Sequence, residues 1–142
     1  MYKALIGGFV GAAAVTLLNE SLRRLSANTP RLDKLGEEAT AKTIESLGGD
    51  APSGGDLYAT TLGADILSNT LYYSSAAANK QNPLLAGAGL GIMAGLGAVY
   101  LPEKMGLEGS HTAGTKEKKW MTIALYTFGG IIAGAVISRL SK

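Results

Sequence analysis

The sequence predicts an all-α membrane protein: four transmembrane helices plus an amphipathic interfacial helix in the first loop, in a single membrane domain over residues 1–142. Three observations predict it. The chain is 46% hydrophobic and only 17% charged, which is low in charge for a soluble domain. The charges are segregated, with long windows holding none while Arg23–Asp56 and Glu103–Lys119 hold most of them. Many of the 20 glycines recur at four-residue spacing inside apolar runs. Such a ridge costs a soluble helix about 1 kcal/mol per glycine relative to alanine, but between helices in a bilayer it makes a groove for close packing.

The first span is expected near residues 2–22. Ala4–Leu18 carries no ionisable residue, and Asn19 and Glu20 count as interfacial. The apolar run continues past Ala12–Ala14, which speaks against a cleaved signal peptide. Gly7 and Gly11, with Gly8 and Ala12, form small-xxx-small pairs. The polar connection Arg23–Gly55 is too long to be structureless, and Thr29-Pro30 reads as a turn or helix start within it. An amphipathic helix is expected over 33–47. Leu35, Ala39, Thr43, Ile44 and Leu47 share a face, Glu38 and Lys42 form an i,i+4 pair, and Gly48-Gly49 stops the helix. It is expected to lie on the membrane surface or to cap the bundle.

The second span, near 57–79, is the stretch LYATTLGADILSNTLYYSSAAAN. Asp65 lies nine residues past Asp56, or about 13 Å along a helix, close to the middle of a hydrocarbon core about 30 Å thick. A central aspartate costs about 2.5–3.5 kcal/mol on insertion scales, so it should face protein or water. Thr61, Asp65, Ser68, Asn69 and Tyr72 recur at three- and four-residue spacing and form one polar stripe, with Leu62, Ile66 and Tyr73 on the opposite flank. The short turn Lys80–Pro83 should make the second and third spans antiparallel neighbours. The third span, near 84–101, carries the ridge Gly87, Gly91 and Gly95, and Pro102 is expected to end it. The fourth, near 120–139, carries Gly130 and Gly134 with Gly129 and Ala133. Ile6–Val15 and Phe128–Ile137 look alike, which similar packing demands explain as well as duplication does.

Lys and Arg near the span ends give the orientation. The first and third loops carry nine, and the termini and short turn carry four. The two long loops are therefore expected in the cytoplasm and both termini outside. Tyr58, Tyr100 and Trp120 would mark one interface and Tyr2 the other.

TPRLDKLGEEA, LYATTLGADILSNTLYY and LYTFGGIIAGAVISRL are similar to segments of small bacterial four-helix integral membrane proteins with no assigned activity. The resemblance runs over most of the chain. It implies a bacterial inner-membrane setting and carries over no substrate or catalytic residue.

The chemistry the sequence offers is sparse. A net charge of +2 gives no electrostatic case for nucleic acid. The absence of cysteine excludes disulfides, iron–sulfur clusters and thiolate metal sites. His111 stands alone in a loop and makes no case for a metal. No nucleophile–base pair, phosphate loop or dinucleotide fingerprint stands in a fitting context, so neither an enzyme nor a cofactor is expected.

The costly group is Asp65, for which no span offers a Lys or Arg at similar depth. It is expected to be protonated and hydrogen-bonded, or ionised beside water or a cation, with Thr16, Tyr126 and Thr127 as partners by depth. The expected function is a structural, assembly or accessory subunit working through glycine-rich helix packing. The alternative is a small oligomeric ion or solute channel or transporter using Asp65. A ridge Gly87, Gly91, Gly95 displayed outward favours the first; a buried ridge with a cavity at Asp65 favours the second. Four short helices leave little room for a pore in one subunit, so a homo-oligomer or larger membrane complex is the expected state.

Overall fold

Small residues decide which helices touch. The computed structural model describes Met1–Lys142 and consists of helices and loops. Helix α1 spans Tyr2–Leu25, α2 Leu32–Ser46, α3 Gly54–Ser74, α4 Pro83–Lys104, α5 Ser110–Ala113 and α6 Lys116–Leu140, and a 3₁₀ turn, Ser75–Ala78, follows α3. The four long helices alternate in direction. Helix α6 lies between α4 and α1, α3 packs on the far side of α1, and α2 lies across the end formed by the two long loops.

The α4–α6 contact is built from the glycine ridge. A side chain at Gly87 would collide with the Gly130 carbonyl, one at Gly91 with the backbone of Tyr126 and Thr127, and one at Gly95 with Ile123 Cα at 2.6 Å. In return Gly134 receives the backbone of Pro83 and Leu84. Index numbers rise on α4 as they fall on α6, so the pair is antiparallel. The α1–α6 contact repeats the device, with Gly7 against Ala133 and Ile137, and Gly11 against Gly129 and Ala133. The two look-alike segments thus pack face to face. Gly8 turns the other way and receives α3 at Thr70 and Ser74.

Three helices, α1, α4 and α6, are long and apolar enough to cross a membrane. The expectation of a fourth such helix is corrected at α3. It has the length, but Thr60, Thr61, Asp65, Ser68, Asn69 and Thr70 dilute its apolar residues. Its neighbours also differ from the expectation. The tight turn does make α3 and α4 antiparallel, but they are not packed neighbours: they touch lightly and diverge, because the α4 ridge is occupied by α6. Tyr73, expected on the apolar flank opposite the stripe, is fully buried at the centre of the core with Val15 and Ala133. The outward face of α3 is instead Gly63, Ala64, Leu67 and Leu71.

Pro102 does not end α4, which runs to Lys104. A proline removes the amide that would bond the carbonyl four residues back, here Ala98. The Thr112 hydroxyl donates to that carbonyl at 2.6 Å, replacing the missing amide from another element. Asn19, expected at an interface, is 3% exposed and donates to the Pro30 carbonyl at 3.0 Å, fixing the turn into α2. The predicted 33–47 helix is α2, shifted by one residue. It caps the bundle end and buries none of its residues completely. Polar bonds hold it there. Arg31 N donates to the His111 carbonyl at 2.9 Å, Glu108 N donates to the Glu38 carboxylate at 2.9 Å, and Lys42 Nζ donates to the Met105 and Gly106 carbonyls at 3.2 and 3.0 Å.

Candidate functional site: a cleft between α3 and α4

The divergence of α3 from α4 leaves a cleft of about 630 Å³. One wall is the polar stripe of α3, with Asp65, Ser68, Asn69 and Tyr72. The opposite wall is the ridge-free face of α4, including Met93, Ala94 and Gly97. Leu32, Leu35 and Ala39 of α2 close one end, and Tyr126 of α6 forms part of the floor. Eleven of the seventeen lining residues are hydrophobic, so the polar groups on α3 stand out against an apolar background.

A second, small cavity of about 40 Å³ lies on the other side of the stripe, between α1, α2 and α3. Val15, Thr16 and Asn19 of α1, Asp33 of α2 and Thr61 of α3 line it. By volume it can hold about one or two waters. Asp65 lines both cavities, so its carboxylate stands at the divide between them.

The polar groups are partly committed. Asn69 Nδ2 donates to Asp65 Oδ1 at 3.0 Å, one turn along α3. The Ser68 hydroxyl donates back to the Ala64 and Asp65 carbonyls, which leaves it only acceptor capacity toward the cleft. The Tyr72 hydroxyl donates across the cleft to the Leu90 carbonyl at 2.8 Å and ties α3 to α4 at the turn end. Tyr73 does the same toward α6, donating to the Tyr126 carbonyl at 2.7 Å. Thr61 Oγ1 is buried without a partner.

The charges nearby cancel one another rather than reaching Asp65. Arg23 pairs with Glu20 and, at 3.3 Å, with Asp33, while Arg31 pairs with Asp33 at 2.9 Å. Burial alone would raise the Asp33 carboxyl; the hydrogen bonds and charge of Arg31, with the charge of Arg23, more than offset this and hold it below the usual carboxylate range. Both guanidinium groups are thereby engaged, and Asp65 accepts from Asn69 alone.

The structure thus brings Asp65, Ser68, Asn69, Tyr72 and Tyr126 to one cleft, and Thr16 and Thr61 to the small cavity on its other side. Thr127 does not join them. Its hydroxyl donates to the Ile123 carbonyl at 2.7 Å and its Cα faces Gly91 inside the α4–α6 contact. Depth along a span matched, but rotation about the helix did not. The α4 wall and the α2 end were missed in the sequence, since both depend on α4 choosing α6 over α3. Gly97 carried a signal: it lies off the Gly87, Gly91, Gly95 ridge, on a face the ridge leaves free.

The fold and site define a small helical bundle with three apolar helices long enough to cross a bilayer and one polar helix bordering a cleft. Comparison with protein-family models, curated proteins and solved structures finds no match to this chain.

Proposed function

We propose that the protein is a small multi-pass membrane protein that binds a solute or ion in the α3–α4 cleft and passes it across the bilayer, with Asp65 as the binding group. The observation that carries this reading is a division of labour. The glycine ridges are consumed inside one chain, between α4, α6 and α1, while Asp65 stands in a cavity without a basic partner. A subunit that recruited other proteins through those ridges would have to unpack itself first, and that weighs against the accessory reading. Helix α3 crosses with the other three, held against α1, with its polar stripe turned into the cleft. The setting is a bacterial inner membrane, with the two long loops cytoplasmic and both termini outside. Oligomers assemble through the lipid-exposed apolar faces.

Two experiments test the reading. Single cysteines at Ser53 and Ser110, in a chain with no other cysteine, should resist labelling from outside intact cells. Labelling of either reverses the orientation. Proteoliposomes should show flux of protons, sodium or an organic cation that Asp65→Asn abolishes without unfolding the protein, because an amide cannot ionise. Absence of flux in the unaltered protein removes the transport reading, and equal flux in both removes Asp65 from it.

A further inference from the structure

We infer that the α3–α4 cleft takes an amphiphilic organic cation, a single positive charge on a bulky apolar body. The inference rests on the reading of Asp65 as a binding group and narrows its ligand class.

Charge comes first. Asp65 is the only ionisable carboxylate or base lining the cleft, and the cleft holds no Lys, Arg or His. The charged groups facing Asp65 from the adjoining elements are Glu20 of α1 and Asp33 of α2, across the small cavity. Their counter-ions, Arg23 and Arg31, are already paired with them. An anion would therefore meet a carboxylate with nothing to offset it. A cation supplies the one partner that Asp65 lacks.

The lining then separates kinds of cation. A bare sodium or divalent ion needs about six oxygens to replace its water. Here the Tyr72 hydroxyl is engaged with Leu90, the Asn69 amide nitrogen points at Asp65 rather than away, and the facing wall is Met93, Ala94 and Gly97. One carboxylate with a few side oxygens is a poor shell for an inorganic ion but a sufficient partner for a diffuse organic charge. The rings of Tyr72 and Tyr126 and the thioether of Met93 favour such a charge through cation–π and polarisable contacts. A neutral polar solute would leave its own groups unpaired against this wall. The volume, about 630 Å³, lies in the range of sites for drug-sized molecules, about 300–1,000 Å³.

The probe is tetraphenylphosphonium, with tetraphenylborate as a partner of like shape and opposite charge. Binding to the purified full chain in mild detergent is measured by equilibrium dialysis. The expected result is saturable binding of the phosphonium, weakened at least tenfold by Asp65→Asn, and no saturable binding of the borate. Gly97→Phe is the second variant. Gly97 lines the cleft, and an added Cβ there meets only Leu101 of its own helix, at 3.4 Å, so the bulk enters the cleft and spares the α4–α6 contact. It should abolish binding with an unchanged melting temperature. Equal phosphonium binding by the unaltered protein and Asp65→Asn, or saturable borate binding, overturns the inference. So does efficient dimer cross-linking through Met93→Cys, which would mean that a second copy fills the cleft. If the phosphonium neither binds nor inhibits while Asp65-dependent proton or sodium flux persists, the ligand class is wrong and the transport reading stands. If it binds through Asp65 and no flux of any species occurs, the ligand class stands and transport falls.

Discussion

The two long faces of α4 present opposite solutions to the same problem. One face, at Gly87, Gly91 and Gly95, has no side chains and lets the α6 backbone into contact. The other, at Met93, Ala94 and Gly97, looks across open space at the polar stripe of α3. The first gains dispersion contacts along its whole length, because the two backbones are the partners. The second gains little, since Asp65, Asn69 and Tyr72 are too large and too polar for close approach. The lesson is that a glycine ridge selects its partner and thereby leaves the competing helix standing off. The cleft is a by-product of that selection, and α3 is bonded across it at the turn end by Tyr72.

Substitutions on the two sides should differ accordingly. The largest effect is expected at Gly91→Leu, where the new side chain meets the Tyr126 carbonyl and Thr127 Cα, atoms that cannot rotate away. A loss of about 3 kcal/mol or more in detergent unfolding is expected, against under about 1.5 kcal/mol for Leu96→Ile, which nearly conserves volume at a half-exposed site. Equal stabilities would mean that the ridge faces lipid.

Next is Thr112→Val. It withdraws the hydroxyl donor to the carbonyl whose helical amide Pro102 lacks, and should cost about 1–2 kcal/mol by thermal melting. No change would show that water substitutes there.

Acid should act on the α2 cap before it acts on the ridges. The Asp33 carboxyl is held low in the folded protein, so its stabilising contribution is present above the unfolded value, about 3.9, and is lost as pH falls through the lower folded value. Hydrogen exchange of α2 should therefore accelerate below about pH 4, while that of α6 stays slow. Parallel loss of protection in both would remove Asp33 as the cause.

The smallest effect on stability is expected at Asp65→Asn, within about 0.5 kcal/mol, because an amide keeps the shape and can still accept from Asn69. A large loss would make Asp65 a structural residue of the bundle.

Much of this was legible in the sequence. The long helices appear within a few residues of their expected limits, because apolar runs, glycine spacing and flanking charges are local signals. The glycines at 7, 11, 87, 91, 95, 130 and 134 lie against neighbouring helices. What escaped was rotation and choice of partner. Thr127 sits at a suitable depth but on the wrong side of α6, and Asn19 looked interfacial until the turn at Pro30 supplied its acceptor. The short turn after α3 suggested a packed α3–α4 pair. The ridge on α4 outbid it, through contacts some forty residues away in the chain, which periodicity does not encode.

One further consequence concerns positions 102 and 112. Because the Thr112 hydroxyl stands in for the amide that Pro102 lacks, neither residue has a fixed worth of its own. With alanine at 102, the Ala98 carbonyl regains a helical donor and the hydroxyl becomes redundant. Thr112→Val should then cost much less in a Pro102→Ala background than in the natural one. The two positions form a thermodynamic pair, and in any lineage of this fold they are expected to change together rather than separately.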